Sequence, residues 1–311
     1  MRATRRWALT EAAAVAGFAI LIGLAFTATI AAALILVVVA LVIGGLIYRS
    51  ETRIIRRRLA VMAQPFPAEW AQQLGKIVPY YATLAPAERE RFQHLVAIFL
   101  DEKPIHGIGC TIDDTTRLLV AASATIPVFA FPAWEYATLR KVLIRPEAFD
   151  ATFQDRQQQE TMALGMVGAS GLFDGVMILS LPDLYAGFAP NAGKHNVGIH
   201  EFSHLIDQNN GAIDGIPASL PRECLQPWTT LVHDHLAHHR GDDAGIPAYG
   251  YTNEAEFFAV ASEYFFQSPE EMARRDPELY ALLEQIFQQR LLGKGLRRMG
   301  KKRTEGDGHS G

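Results

Sequence analysis

The sequence has little cysteine, little net charge and no internal repeat. Its two cysteines, Cys110 and Cys224, stand at a separation that matches no metal-binding motif. A disulfide framework would need more of them, so we expect a reducing compartment. The formal net charge of −4 argues against a nucleic-acid partner, because proteins that bind nucleic acids are usually basic. At 311 residues the chain has room for a membrane segment and one domain of about 200–250 residues.

Charge is missing altogether from residues 12–48, which contain no Asp, Glu, Lys or Arg. About 20 apolar residues make one transmembrane helix, so this run is too long for one comfortable span and just long enough for two short ones. We expect a break at residues 27–29 and a two-helix membrane hairpin over residues 1–48. A single tilted span is the alternative.

Arginines flank the uncharged run on both sides, at Arg2, Arg5 and Arg6 before it and at five positions within residues 49–58 after it. Because lysine and arginine favour the cytoplasmic side, both ends of the hairpin are expected there. The prediction is a protein of the inner (cytoplasmic) membrane whose catalytic domain faces the cytoplasm. The basic connector, residues 49–66, is expected to lie on anionic lipid headgroups.

The remaining chain alternates helical and strand-like patterns, which predicts an α+β domain over residues 67–295 and a basic, disordered tail over residues 296–311. Strands are predicted at 141–146 and 175–187. Helices are predicted at 68–101, at 116–131 (buried, ending near Pro127 and running into a short strand), at 196–209, at 253–267 and at 269–291.

The segment His200-Glu201-Phe202-Ser203-His204 carries the most chemical information. Residues four apart share one face of a helix, so His200 and His204 could bind one metal ion, while Glu201 could take a proton from a zinc-activated water. Asn196 is a good N-cap for this helix. The alternative is an ordinary helix with two surface histidines.

A catalytic zinc site needs a third protein ligand, and the helix "NEAEFFAVASEYFF" offers Glu254, Glu256 and Glu263. Glu256 and Glu263 are seven apart and share a face, so spacing alone does not choose between them. Glu256 could instead form a capping box with Asn253. Asp207 could accept the second N–H of a ligating imidazole, or it could be a plain carboxylate at a helix end.

Two further patterns have simple alternatives. "HDHLAHHR" contains His233, His235, His238 and His239, and we expect solvated histidines in a loop rather than a second metal site. The strand at 175–187 could be the sheet edge along which an extended peptide pairs, or an ordinary core strand.

The order of His-Glu-Phe-x-His followed by "YGYTNEAEFFA" resembles the zinc protease domain of anthrax lethal factor. More broadly, residues 65–289 resemble the Mlc titration factor A family of zinc peptidases, through the segments "VAIFLDEK", "RLLVAASA", "VLIRPEAF", "HNVGIHEFSHLID" and "EFFAVASEYFF". The resemblance implies a zincin-like (gluzincin) fold, one Zn²⁺ ion, Glu256 as the third ligand and Tyr249 as a hydrogen-bond donor to the transition state. The apolar hairpin departs from the soluble family pattern.

The resulting hypothesis is a membrane-tethered zinc metallopeptidase that acts on a peptide or protein substrate, with Glu201 as general base. Glu263 and Asp207 are candidates for the outer shell of the metal site. The rival hypothesis is a regulatory module that sequesters a transcription regulator or another cytosolic partner, its zinc site being mainly structural.

Overall fold

A computed structural model describes residues 2–26, 30–132, 134–146, 175–238 and 245–293. The chain divides into two compact units, Met1–Pro65 and Phe66–Gly311. The tail predicted at 296–311 and the break predicted at 27–29 lie outside the described residues.

The first unit is built of three helices: α1 (Arg2–Phe26), α2 (Ile30–Glu51) and α3 (Arg53–Met62). Helices α1 and α2 run antiparallel and lie close together. A Cβ at Gly23 would come within 2.7 Å of the Leu36 side chain, and one at Gly44 within 3.1 Å of the Ala12 carbonyl oxygen. Small residues therefore let the two backbones approach, as expected for a helical pair in an apolar segment.

Among the described residues, no single helix is long and apolar enough to cross a membrane. Only the segments Ile35–Ser50 and Arg53–Met62, which meet at a 47° bend, could do so together by length and composition. The membrane hairpin and the side of the membrane on which the domain lies stay predictions.

The second unit begins with α4 (Ala68–Ile77), α5 (Pro79–Thr83) and α6 (Pro86–Glu102), where the sequence predicted helix over residues 68–101. The stretch is divided because Pro79 and Pro86 each occupy a first helical position, where proline is favoured and the missing N–H costs nothing. The N–H of Ala85 donates to Glu88 Oε2 over 3.0 Å and fixes the start of α6.

Helix α7 (Asp114–Val128) lies in the core, as its apolar sequence predicted. Its first turn is capped by Asp113, whose Oδ1 accepts from the Thr116 N–H at 2.7 Å. The strand expected directly after Pro127 was wrong. The chain continues as a turn, closed by a hydrogen bond from the Phe131 N–H to the Val128 carbonyl, and no strand follows in the described residues before β2.

The sheet has three parallel strands in the order β1 (Ile105–Gly107), β2 (Lys141–Arg145), β3 (Val176–Ser180). Strand β3 is shorter than predicted, because Ser180 caps a helix, α8 (Leu181–Phe188), by accepting from the Asp183 N–H. Three-residue β1 was not predicted, since so short a strand has no readable periodicity. The mixed helix and strand content agrees with the predicted class, and the gluzincin assignment stays a prediction.

The remaining helices are α9 (Val197–Asp207), α10 (Leu225–His238), α11 (Glu254–Gln267), α12 (Pro269–Arg275) and α13 (Pro277–Phe287), with 3₁₀ turns at Gln208–Asn210, Arg222–Cys224 and Ala248–Tyr251. Helix α11 is buried from Ala255 to Phe266 and packs against α9 in the centre of the core. The single helix predicted at 269–291 is two helices, because Asp276 caps α13 through the Leu279 N–H.

Candidate metal centre

Helix α9 starts at a cap that is held on both sides. Asn196 Oδ1 accepts from the Ile199 N–H at 3.0 Å, as an N-cap should, and its Nδ2 donates to the Gly187 carbonyl at 3.0 Å. Asn196 is completely buried. The first turn of α9 is therefore fixed to the end of α8, which sets the direction in which His200 points.

The structure brings three buried side chains together at one point: His200 and His204 of α9, and Glu256 of α11. The two Nε2 atoms are 3.2 Å apart. Glu256 Oε1 lies 3.2 Å from Nε2 of His204, and its Oε2 lies 3.4 Å from Nε2 of His200. The Glu256 N–H is held by Asn253 Oδ1, so Asn253 starts α11 while the Glu256 carboxylate faces the imidazoles.

These separations fit a divalent metal ion. Donors about 2.0–2.1 Å from a tetrahedral ion stand about 3.3 Å from one another, and the observed spread is 3.2–3.4 Å. Among the described residues, Glu256 Oε2 is buried and makes no hydrogen bond, its approach to His200 Nε2 being 3.4 Å. Since a buried carboxylate oxygen is costly to leave unsatisfied, the cluster suits a bound cation.

Glu263, one of the two carboxylates that spacing could not separate, sits behind the triangle. Its Oε1 is 2.8 Å from His200 Nδ1, its Oε2 accepts from the Asn196 N–H at 2.6 Å, and Tyr249 donates its hydroxyl to Oε1 at 3.3 Å. Glu263 therefore contacts the ring nitrogen of His200 that faces away from Glu256.

The charges of the cluster are strongly coupled. Burial by itself lowers the pKa of His200, but the adjoining Glu256 and Glu263 carboxylates raise it to well above 6.5. For Glu256, burial raises the pKa, and the two imidazoles bring it well below its usual value of 4.5. Without metal, a protonated imidazole would therefore sit against a carboxylate, in the place where a cation fits.

Asp207 lies at the end of α9 but no hydrogen bond joins it to an imidazole. Its Oδ2 accepts from the Gly215 N–H at 2.8 Å, while its Oδ1 and Nδ1 of His204 are both buried and have no hydrogen-bond partner in the part of the chain that the structure describes. Burial raises the pKa of Asp207 to about 6, against the lowering effect of the Gly215 hydrogen bond. The side chain closes the loop that follows α9.

Glu201 and Tyr249 are the two residues expected to act on substrate. Glu201 follows His200 on α9 and is half-buried. Tyr249, in the 3₁₀ turn before α11, is also half-buried, and its ring centroid is 6.3 Å from that of His200.

Sequence reasoning missed the position of His195. Its imidazole is 59% exposed, its Nδ1 is 4.0 Å from Glu263 Oε2, and its ring lies 6.5 Å from that of Tyr249 at an interplanar angle of 26°. Its place directly before the N-cap of the His200 helix was the available signal.

The histidines of "HDHLAHHR" do not lie in a loop, since α10 runs to His238. His233 and His238 are exposed, as expected. His235 is buried, with Nε2 2.9 Å from Asp276 Oδ2, so the solvated reading was wrong for this residue. The helical phase carries it into the core beside Phe257. His239 lies outside the described residues.

Comparison with known proteins agrees with this geometry. A family model described as glucose-regulated metallo-peptidase M90 matches residues 52–288. The chain is 29% identical over 242 residues to a Synechocystis protein named as uncharacterized, which covers 74% of this chain and 87% of that protein.

Two enterobacterial proteins named Mlc titration factor A are also similar. The one from Klebsiella pneumoniae is 29% identical over 235 residues, covering 71% of this chain and 85% of its own length. The one from Salmonella arizonae is 29% identical over 238 residues, covering 71% and 92%. The resemblance of residues 65–289 to the Mlc titration factor A family is confirmed, and the chain belongs to the glucose-regulated metallo-peptidase M90 family.

Proposed function

We propose that this chain is a zinc-dependent peptidase in which His200, His204 and Glu256 bind one Zn²⁺ ion. The observation that carries the proposal is the buried triangle of two imidazole nitrogens and one carboxylate at 3.2–3.4 Å. In the described part of the chain the cluster has three members. Catalytic zinc sites use three protein ligands, whereas structural sites almost always use four.

When bound, zinc supplies Lewis acidity, which polarises a carbonyl group and makes water a stronger acid. Glu201 is the proposed general base: it takes a proton from the attacking water and passes it to the leaving amine. Tyr249 donates its hydroxyl to the oxyanion that develops on the scissile carbonyl. Glu263 holds the Nδ1–H of His200, which keeps the lone pair on Nε2.

The substrate is proposed to be a peptide or protein that binds in an extended conformation. Strand β3 supports this, because it is an edge strand of the described sheet and is followed by α8, which is tied to the cap of α9. Pairing of a peptide with such an edge supplies main-chain hydrogen bonds without requiring a particular sequence.

The location of the enzyme is proposed from charge. The uncharged run at 12–48 and the arginines on both sides support an inner-membrane hairpin with the peptidase domain in the cytoplasm. The antiparallel packing of α1 and α2 supports the same arrangement.

A second candidate function is regulatory binding. The similar enterobacterial proteins are named Mlc titration factor A. The name favours a second role, in which this chain binds a protein that regulates transcription and holds it at the membrane. In that case the metal site would be mainly structural, and loss of peptide cleavage would leave partner binding intact.

The test is metal analysis and peptide cleavage with the purified full-length protein, using a mixed peptide library and mass spectrometry. The wild type should contain about one zinc per chain. Glu201→Gln should keep the zinc and lose about 10²–10⁴-fold in kcat, because the general base is gone. The matched control, Glu254→Gln, alters an exposed glutamate at the start of α11 and should keep full activity. Full activity of the Glu201→Gln variant would rule out the proposed mechanism. A wild-type protein that contains zinc but cleaves no peptide would favour regulatory binding.

A further inference from the structure

A cavity of about 470 Å³ lies in the second unit between α4, α5, α7, the end of α8, α9 and α11. Its volume falls within the range of roughly 300–1,000 Å³ that is usual for small-molecule sites. Its lining includes none of the side chains assigned to the proposed catalytic site, namely His200, Glu201, His204, Tyr249, Glu256 and Glu263. The cavity is therefore separate from the proposed catalytic site.

The walls of the cavity are mainly apolar. They include Val78, Ile126, Phe188, Ile199 and Phe266, each of which also belongs to the buried core. Surface of this kind gains free energy when it contacts an apolar ligand, at about 25 cal/mol per Å² removed from water. The cavity suits the apolar body of a ligand, such as an aromatic ring system.

Three polar side chains of the lining already donate hydrogen bonds inside the protein. Tyr80 donates its hydroxyl to Gln289 Oε1 at 2.5 Å, Thr83 donates to the Tyr80 carbonyl at 2.8 Å, and Gln267 Nε2 donates to the Gly187 carbonyl at 3.0 Å. The donor groups of these side chains are therefore already used, and a hydroxyl-rich ligand would have to compete for them, which is costly.

Lys76 is the exception to this apolar character. It stands in the last turn of α4, its side chain is exposed, and it is the only residue carrying full charge among the described residues that line the cavity. The lining contains no carboxylate. An ammonium group at the rim, with no acid to neutralise it in the lining, favours a single negative charge on the ligand.

We propose that this cavity binds a small organic monoanion, in which an aromatic or similarly apolar body enters between α7, α9 and α11 and a carboxylate meets Lys76. In this position the ligand would contact α9 and α11, the two helices that carry the proposed metal ligands. Ile199 directly precedes His200 on α9, and Phe266 lies three residues after Glu263 on α11. A ligand that binds only the folded protein also stabilises it, so occupancy should raise the Tm.

Three probes of one size and different charge test the site: 2-naphthoate, the neutral 2-naphthamide and the cation 2-naphthylmethylammonium. Each is titrated into the full-length protein in lipid nanodiscs by calorimetry. The anion should bind about two- to fivefold more tightly than the amide, the range expected for one solvent-exposed charge contact. The cation should bind most weakly.

Two variants separate the charge from the cavity. Lys76→Met keeps the length of the side chain and should remove the preference for the anion over the amide. Gly75→Phe should weaken all three probes at least about tenfold by filling the space. A Cβ at Gly75 meets nothing within 4 Å and its backbone is helical, so this variant should fold. Gly75→Leu gives a second, smaller filling.

The controls make each outcome decisive. Lys141→Met removes a lysine that does not line the cavity and should bind the anion as the wild type does. Circular dichroism and a cooperative thermal unfolding transition verify that each variant is folded. Equal affinity of Gly75→Phe and Gly75→Leu with wild type would overturn the site, and so would wild type that binds none of the probes. An unchanged preference for the anion in Lys76→Met would overturn the role of Lys76. These readouts require no peptidase activity, so they stand apart from the proposed function.

Discussion

Nδ1 of His200 lies 2.8 Å from Oε1 of Glu263, so the imidazole that turns its Nε2 toward Glu256 is held from behind by a second carboxylate. Both glutamates belong to α11, seven residues apart, and both are buried. One faces the front of the ring and the other its back. The two carboxylates therefore contact different nitrogens of the same imidazole.

Glu256→Ala should reduce zinc affinity more than Glu263→Ala does, because only the first removes a metal-binding oxygen. Loss of an outer partner typically costs about 10–100-fold in metal affinity, so Glu263→Ala should fall in that range and Glu256→Ala beyond it. Zinc titration against a chelator of known affinity measures both. Glu263→Gln should lie between wild type and Glu263→Ala, since its one amide oxygen can still accept from His200 while its NH₂ group would meet the Asn196 N–H. The reverse ranking would exchange the two assignments.

Tyr249→Phe should lower kcat while leaving zinc content and folding unchanged. The hydroxyl is 3.3 Å from Glu263 Oε1, a long hydrogen bond whose loss should cost little in stability. Its proposed contribution arises only when negative charge develops on the substrate carbonyl, so KM should change less than kcat. Steady-state kinetics with one identified peptide separate the two. An unchanged kcat would leave Tyr249 as a packing residue of its turn.

Zinc affinity should weaken as the pH falls. In the metal-free protein, burial lowers the pKa of His200, but the Glu256 and Glu263 carboxylates outweigh it and hold that pKa well above 6.5. At any pH below this pKa the metal must therefore displace a proton from His200. Glu256, whose pKa is lowered, stays ionised and adds no competing proton above pH 4.5. One displaced proton weakens the apparent affinity by about tenfold per pH unit.

Calorimetric zinc titrations between pH 6 and 8, in buffers of different ionisation enthalpy, count that proton. Without metal, His200 and Glu256 make the stability of the fold change with pH in opposite directions. The stabilisation that comes from the raised pKa of His200 is fully present below pH 6.5. It is lost as the pH rises through the pKa of His200 in the folded protein. The stabilisation that comes from the lowered pKa of Glu256 is present above pH 4.5. It is lost as the pH falls through the pKa of Glu256 in the folded protein. A zinc Kd independent of pH over this range would contradict the competition.

The helices around the metal centre could be predicted because local signals define them: Asn196 and Asn253 cap α9 and α11, and the four-residue spacing puts His200 and His204 on one face. The choice between Glu256 and Glu263 could not, since both share a face and only the position of α9 against α11 separates them. Asp207 shows the same limit. Its spacing suggested an imidazole partner, but a loop that returns at Gly215 supplies its hydrogen bond.

Proline explains several differences in the fold. A helical pattern extends through Pro79, Pro86 and Pro277, but the structure begins a new helix at each of them. Pro127 has the opposite outcome, since α7 continues one residue past it. Whether a proline starts or ends a helix depends on the packing of the neighbouring residues, which the sequence pattern does not contain.

The N-terminal unit should form a membrane hairpin with both of its ends on the cytoplasmic side. The motive is an uncharged run at 12–48 that is too long for one span, with arginines on both sides. A single span would leave about ten residues mismatched or tilt strongly, and it would put Arg2, Arg5 and Arg6 on the outer side. The antiparallel α1 and α2 fit the hairpin instead.

Reporter fusions at residue 3 and directly after Arg58 should both give a cytoplasmic signal if the run is a hairpin. A fusion after residue 28, within the break predicted at 27–29, is the matched control and should report the opposite side. Replacing Arg2, Arg5 and Arg6 with glutamine should allow part of the N-termini to translocate, because their charge favours the inner side. The signal after Arg58 should not change, since five arginines within 49–58 fix that end. A translocated N-terminus in the unaltered chain would exclude the hairpin while leaving the peptidase domain on the cytoplasmic side.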